Sequence, residues 1–264
     1  MKFFGKNLWI TGASSGIGRA VAIQLSLKQC HLILSSRNKE DLEKVASICR
    51  KNGSTTTVVP FDLSNSSSID QAAKIVLSTV KQIDGLYHFG GISQRAYAND
   101  TAIAIDRKIF EVNFFGTIDL TKKVLPTMIS RGGGQIGVTS SIVGKFGFPY
   151  RSAYSASKHA LHGFFESVRS ENIDNKISIS MIIPGRVSTN ISMNAIDQSG
   201  NAHNIMDKGQ EKGLSSERAA RIIVRKLEKE KKEILVGGKE LIMVHIRRFF
   251  PKLYYYLATK IQPL

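Results

Sequence analysis

Short runs of apolar, β-branched and aromatic residues recur along the chain, each followed by a stretch with helical spacing, and this alternation constrains the fold more than any other feature. The runs are Leu8-Trp9-Ile10, His31 to Ser35, Thr57 to Phe61, Gly85 to Phe89, Gln135 to Thr139, Ile177 to Ile183 and Glu233 to Val236. Between them lie helical patterns. Leu42, Val45, Ala46 and Cys49 mark one over residues 39–50, Ile69, Ala72, Ala73, Val76 and Val80 mark a second, and a long one over 106–130 carries Asn113 and meets Pro126. Further helices are predicted around Tyr154 and over 216–229. Strands without internal alternation are buried on both faces, and strands joined through helices run parallel. The expected fold class is therefore α/β, a doubly wound parallel sheet of about seven strands with helices on both faces.

Ligands of such sheets bind beyond the carboxyl ends of the strands. There the chain places its chemistry. The first run enters Thr11-Gly12-Ala13-Ser14-Ser15-Gly16-Ile17-Gly18, a glycine turn opening a helix. Glycines permit a tight turn and close approach of a pyrophosphate, and the helix start offers free N–H groups and a positive dipole end. The second run ends at Ser36-Arg37. An acidic residue there would hold the ribose hydroxyls, whereas a guanidinium suits a 2′-phosphate, so NADP(H) is favoured over NAD. Asp62, with Leu63, sits where a carboxylate meets an adenine amino group, and Gly90-Gly91 again allow backbone approach. Tyr154 and Lys158 lie one helical turn apart on one face, where an ammonium favours phenolate and suits the Tyr for proton transfer.

Composition narrows the classes. The 264 residues contain no evident linker, and 37 Lys and Arg against 21 Asp and Glu give a net charge of +16. That charge favours anionic partners, but no nucleic-acid motif accompanies it, so no nucleic acid is expected as a partner. Cys30 and Cys49 read as packed thiols in a reducing compartment. No Cys, His, Asp or Glu spacing resembles a metal site, and none is expected. Met1 to Phe4 is too short for a signal peptide, and no apolar run approaches the roughly 18 to 20 residues of a membrane span.

Thr11 to Gly18, Asp62, Asn113, Ser141, Tyr154, Lys158 and Pro184-Gly185, in that order, resemble the short-chain dehydrogenase/reductase family over about residues 5–240. The resemblance implies a single-domain Rossmann fold, a nicotinamide cofactor and hydride transfer between it and a carbonyl or alcohol. It makes Asn113, Ser141, Tyr154 and Lys158 the catalytic residues. Tyr154 would be the proton donor in reduction, Ser141 a hydrogen-bond donor to the carbonyl, and Lys158 would lower the Tyr pKa and bind the nicotinamide ribose. Asn113 would hold a water linking Lys158 to solvent. For the cofactor it nominates Gly12, Ser14, Ser15, Gly16, Ile17, Gly18, Arg37, Asp62, Leu63, Gly90, Gly91, Asn113, Tyr154, Lys158, Val187 and Thr189. His88-Phe89-Gly90-Gly91 departs from the Asn-Asn-Ala-Gly usual in the family, leaving His88 either a substitute hydrogen-bonding group or a core histidine. Ser141 to Lys145 and Tyr150 to Leu161 are similar to the branch of 11β-hydroxysteroid dehydrogenases, and Asn190 to Ala195 with Met206-Asp207 to a reductase of acyl-dihydroxyacetone phosphate. Both imply a lipid-like substrate. The family commonly forms homodimers or homotetramers. A binding protein that senses NADP(H) without turnover is the alternative, though Ser141, Tyr154 and Lys158 are all retained.

The expected catalytic domain covers residues 1–240, with a mobile flap over about 186–214, and a C-terminal extension follows over 241–264. From Arg225 to Lys260 the chain carries ten Lys or Arg against four Glu, amid Phe249, Phe250, Tyr254, Tyr255 and Tyr256. Such a segment suits either a membrane interface or packing on its own domain, and Pro251 argues against one unbroken helix. The expected location is cytoplasmic, either peripheral at a membrane surface or, where the arm packs on its own domain or on a partner subunit, free of it.

Overall fold

A computed structural model describes residues 1–258 and Lys260. Seven strands form one wholly parallel sheet: β1 (Asn7–Thr11), β2 (His31–Ser35), β3 (Thr55–Val58), β4 (Gly85–His88), β5 (Gly134–Thr139), β6 (Ile177–Pro184) and β9 (Glu233–Val236), in the order β3-β2-β1-β4-β5-β6-β9. The direction of winding reverses between β1 and β4, and a crevice opens at such a switch point. A small pair, β7 (Val187–Ser188) with β8 (Leu214–Ser215), stands beyond the end of β6.

Side chains alternate across each strand, which divides the core in two. Leu8, Ile10, Leu32 and Leu34 meet α1 (Gly16–Ser26), α2 (Lys39–Lys51) and α8 (Ser216–Glu228). Trp9, Ile33, Ile136 and Val138 face α3 (Ser66–Thr79), α5 (Gly116–Ser130) and α6 (Ser152–Glu171). Each fully buried Leu or Ile contributes about 2 kcal/mol through removal from water, so the strands make a rigid platform for the loops at their ends. The two cysteines are free and buried; burial raises both thiols, Cys49 to about 11.

Two elements differ from the sequence expectation. β3 ends at Val58 rather than Phe61, because Pro60 has no N–H for a ladder; only the Val59 and Phe61 amides still reach Leu34 O and Ser36 O. The long helix predicted over 106–130 begins at Ile103 and is not uniform. α4 (Ile103–Phe110) passes through a π-helical turn, Glu111–Phe115, into α5. The wider turn turns Asn113 inward, fully buried, and α5 contains Pro126.

The expected C-terminal extension folds as two helices, α9 (Ile242–Phe249) and α10 (Pro251–Ala258), broken before Pro251. Tyr254 is buried against Phe146, ring centroids 5.4 Å apart, and donates to Gly147 O at 2.7 Å. Residues 259 and 261–264 of that extension lie outside the described residues.

Candidate active site

All the predicted site residues lie at the carboxyl edge of the sheet or just beyond it. In the β1–α1 turn Gly12 has φ +65°, and a Cβ there would lie 2.5 Å from Gly90 N. A Cβ on Gly18 would overlap Gly12 O. The turn therefore presses directly on the end of β4, where Gly90 N reaches Thr11 Oγ1 at 3.3 Å. Ser15, the N-cap of α1, makes no side-chain cap, and the first turn has no acidic residue. By contrast α2, α3 and α8 are capped by Asn38, Asn65 and Ser215. Open amides, a positive dipole end and a concave glycine floor fit the pyrophosphate of a dinucleotide.

Arg37 is exposed at the end of β2 and makes no hydrogen bond or ion pair among the described residues, leaving its guanidinium open. Asp62 accepts at Oδ1 from the amide and hydroxyl of Ser64. The Leu63 side chain lies against Gly90. His88 is neutral, its pKa lowered by burial to about 3, and its Nε2 pairs with Thr121 Oγ1 at 3.0 Å. It thereby ties β4 to α5, while Nδ1 finds no partner among the described residues.

A cavity of about 560 Å³ opens beyond β5 and β6, lined by Ile17, Ser141, Tyr154, Val187 and Thr189 among others. Tyr154 and Ser141 both line it, and Ser141 Oγ accepts from Val143 N at 3.4 Å. Burial holds the Tyr154 phenol above its usual range, while Ser141 and the charges of Arg95 and Arg151 act to lower it. Lys158 is buried, which lowers its ammonium to about 8; Nζ lies 5.8 Å from the Tyr154 ring centre and donates to Thr139 O at 2.8 Å. Asn113 is tied on both sides of its amide: Oδ1 accepts from Ile92 N at 2.8 Å, and Nδ2 donates to Ile92 O and Ser157 Oγ. It fastens the π turn to the end of β4 and to α6. Arg37 and Asp62 do not line the cavity; they lie past the ends of β2 and β3, where the far end of a dinucleotide would extend.

The segment expected as a flap crosses the cavity and is held at several points. Ile196 bridges to Gln94, and Gln210 Nε2 donates to Val187 O at 3.1 Å. Two features have no local sequence signal. Buried Gln94 accepts the Ala153 and Tyr154 amides, closing the start of α6. Arg95 and Arg151 both grip Asp207 inside the cavity wall. Outside the cavity, His162 and Glu166, one helical turn apart, and the sequence-distant Glu233 bring three possible metal-binding atoms within 4.8 Å of one another, and Lys145 holds Glu233.

A family model described as short chain dehydrogenase matches residues 6–200. Over 261 residues the chain is 37% identical to the dehydrogenase/reductase SDR family protein 7-like of Drosophila melanogaster, covering 97% of this chain and 80% of that protein. It is 36% identical over 257 residues to dehydrogenase/reductase SDR family member 7B of Xenopus laevis, covering 95% and 80%. Among solved structures, a short chain dehydrogenase/reductase from Burkholderia phymatum in complex with NAD superposes with a TM-score of 0.85 at 22% identity, covering 100% of this chain and 98% of that one, a likeness of fold alone. An alcohol dehydrogenase from the archaeon Thermococcus sibiricus complexed with 5-hydroxy-NADP gives 0.76 at 26% identity, covering 89% and 97%. With the family match running from the first strand past the Tyr154 helix, and relatives aligned almost end to end, the chain belongs to the short chain dehydrogenase family of oxidoreductases.

Proposed function

We propose that the protein is an NADP(H)-dependent oxidoreductase acting on the carbonyl or alcohol of an apolar, lipid-like substrate, with Tyr154 as proton donor and acceptor. The observation that carries this reading is that Ser141 and buried Tyr154 line one cavity, with Lys158 Nζ 5.8 Å from the Tyr154 ring centre. When bound, the nicotinamide supplies or accepts the hydride. In reduction Tyr154, kept protonated by burial, gives its phenolic proton to the substrate oxygen. Ser141 donates to the same oxygen, so negative charge developing there meets donors already in place. Lys158, Arg95 and Arg151 supply positive charge around the phenolate that remains. Asn113 keeps its π turn, and with it α6, in register with the end of β4. The glycine turn and the α1 amides would hold the pyrophosphate, Asp62 the adenine, and Val187 and Thr189 the nicotinamide end. The open Arg37 guanidinium supports the choice of NADP(H). Ile142, Val143, Phe146, Phe148 and Met243 give the cavity apolar walls that suit a lipid-like substrate.

NADPH oxidation followed by absorbance against ketosteroids, long-chain acyl ketones and small diketones tests the reading. Tyr154→Phe should lower turnover by about 10³-fold while NADPH binding persists, in line with loss of a general acid. Undiminished turnover in that variant would overturn the assignment. The pH dependence follows the same chemistry. Because the folded state raises the phenol pKa, reduction, which needs the protonated form, should hold through neutrality and fall on the alkaline side. The reverse oxidation, which needs phenolate, should rise there.

The same reading takes the protein as cytoplasmic and as a homodimer or homotetramer, with peripheral contact at an acidic membrane through residues 241–264. Exposed Ile242, Phe249, Phe250 and Leu253 beside Arg247, Arg248 and Lys252 support that contact. No helix among the described residues is long and apolar enough to cross a membrane. Flotation with acidic liposomes should separate the full chain from one ending near Lys239; equal flotation removes the contact.

A further inference from the structure

Three segments far apart in sequence converge on the wall of the Tyr154 cavity. Arg95 follows β4, Arg151 is the N-cap of α6, and Asp207 precedes the short helix α7 (Lys208–Glu211). Their side chains are 4%, 10% and 11% exposed, so the group is almost dry. Arg95 uses four of its five N–H groups: Nε and Nη2 donate to the two Asp207 oxygens at 3.2 and 2.6 Å, and Nη1 to Ser93 Oγ and Gln94 O. Arg151 uses fewer. It donates from Nη2 to Asp207 Oδ2 at 2.9 Å and from Nη1 to Pro149 O at 3.2 Å, which leaves three of its five N–H groups unused among the described residues. One face of its guanidinium lies over the Phe148 ring, 4.9 Å from the centre.

The charges do not cancel. Two guanidinium groups share one carboxylate, and a buried positive charge without a counterion is costly. Lys208, Lys239 and Arg186 also line the cavity, against a single further carboxylate among the described residues, Glu240, which is occupied by the Arg186 and Gly238 amides. A cavity with apolar walls and one cationic corner offers a guanidinium fork to a planar or tetrahedral anion.

We propose that Arg151, held in place by Asp207 and Phe148 and backed by Arg95, is an anion-binding subsite of the substrate cavity, and that the substrate carries a carboxylate or phosphate besides its reacting carbonyl. The proposal rests on the reading of this cavity as the substrate site. An apolar chain then lies along Phe146 and Met243 while its charged group completes the Arg95–Asp207–Arg151 cluster. The subsite acts in binding and orientation; its charge also favours the Tyr154 phenolate, but Arg151 carries no proton to or from the substrate.

Calorimetric titration of the full chain and of Arg151→Met with decyl phosphate, decanoate and decanol tests this without any turnover. The wild-type chain should bind at least one anion about tenfold or more tightly than the alcohol, and whichever anion binds tighter identifies the group. In Arg151→Met, which leaves a neutral Arg95–Asp207 pair, that preference should vanish, whereas Arg151→Lys should retain part of it; circular dichroism confirms that both are folded. An anion preference that survives in Arg151→Met places the anion elsewhere, for instance at the glycine turn, and overturns the proposal, as does equal binding of anion and alcohol or no binding of either anion. The reductase reading fails separately. Selective anion binding with no NADPH oxidation on any ketone would sink it and leave the subsite standing.

Discussion

The two ends of the cleft are built by opposite means. At the β1–α1 end, eight consecutive residues, Thr11 to Gly18, form the surface, and backbone does the work through open amides and glycines pressed on Gly90. At the Tyr154 end, side chains do the work, drawn from the β4–α4 connection, the start of α6, the segment before α7 and α9. The first end suits a ligand that is the same in every turnover, because a backbone surface allows little variation. The second changes with any one of several loops, so it is where a substrate would be chosen.

The sharpest way to break this contrast is at Gly18. A Cβ there overlaps the Gly12 carbonyl, which is backbone and cannot swing aside, so the turn must shift. Gly18→Ala should weaken NADPH binding by about 100-fold or more, since a displacement of about an ångström in a preorganised site costs that much. Cofactor fluorescence titration measures it. Near-normal affinity would mean that the glycine floor is not the cofactor surface.

Arg37→Ala sharpens the same end. An exposed guanidinium with no partner among the described residues loses nothing internal there when removed, so any change reports its ligand. If it meets a 2′-phosphate, the preference for NADPH over NADH, read as a ratio of kcat/KM, should fall by about 10- to 100-fold, the value of a charge-assisted hydrogen bond of roughly 1.5–3 kcal/mol. An unchanged ratio would remove Arg37 from the cofactor site.

The same contrast decides what could be seen in the sequence. Strand runs buried on both faces and helical spacing imply the parallel sheet, because both are local patterns. The glycine turn and the Tyr154–Lys158 pair are local too. The π turn at Glu111–Phe115 is not, since nothing in Glu111-Val112-Asn113-Phe114-Phe115 departs from ordinary helical spacing; the demand comes from Ile92 and Ser157, which Asn113 must reach. Arg95 lies 112 residues from Asp207, and Arg151 lies 56 from it. Each reads singly as a surface charge, and only folding joins them. For the same reason the charges that act to lower the Tyr154 phenol include Arg95 and Arg151, which no local pattern around Tyr154 suggests.

The smallest effect lies at the far side of the second end, and it tests whether the C-terminal arm belongs to that end at all. Tyr254 is buried on Phe146, a residue of the cavity wall, and its hydroxyl donates to Gly147 O. Tyr254→Phe keeps the ring and removes one hydrogen bond, leaving a carbonyl partly unsatisfied, a change of about 1 kcal/mol. For a chain of this size that corresponds to a drop in melting temperature of about 2–4 °C. Because the Phe146 loop is fixed partly by this contact, KM for an apolar ketone should rise about two- to threefold while the NADPH dissociation constant stays put. An equal loss in both would show that the arm steadies the whole sheet edge rather than one end of the cleft, and the division drawn between a backbone-built and a side-chain-built half would then be too simple.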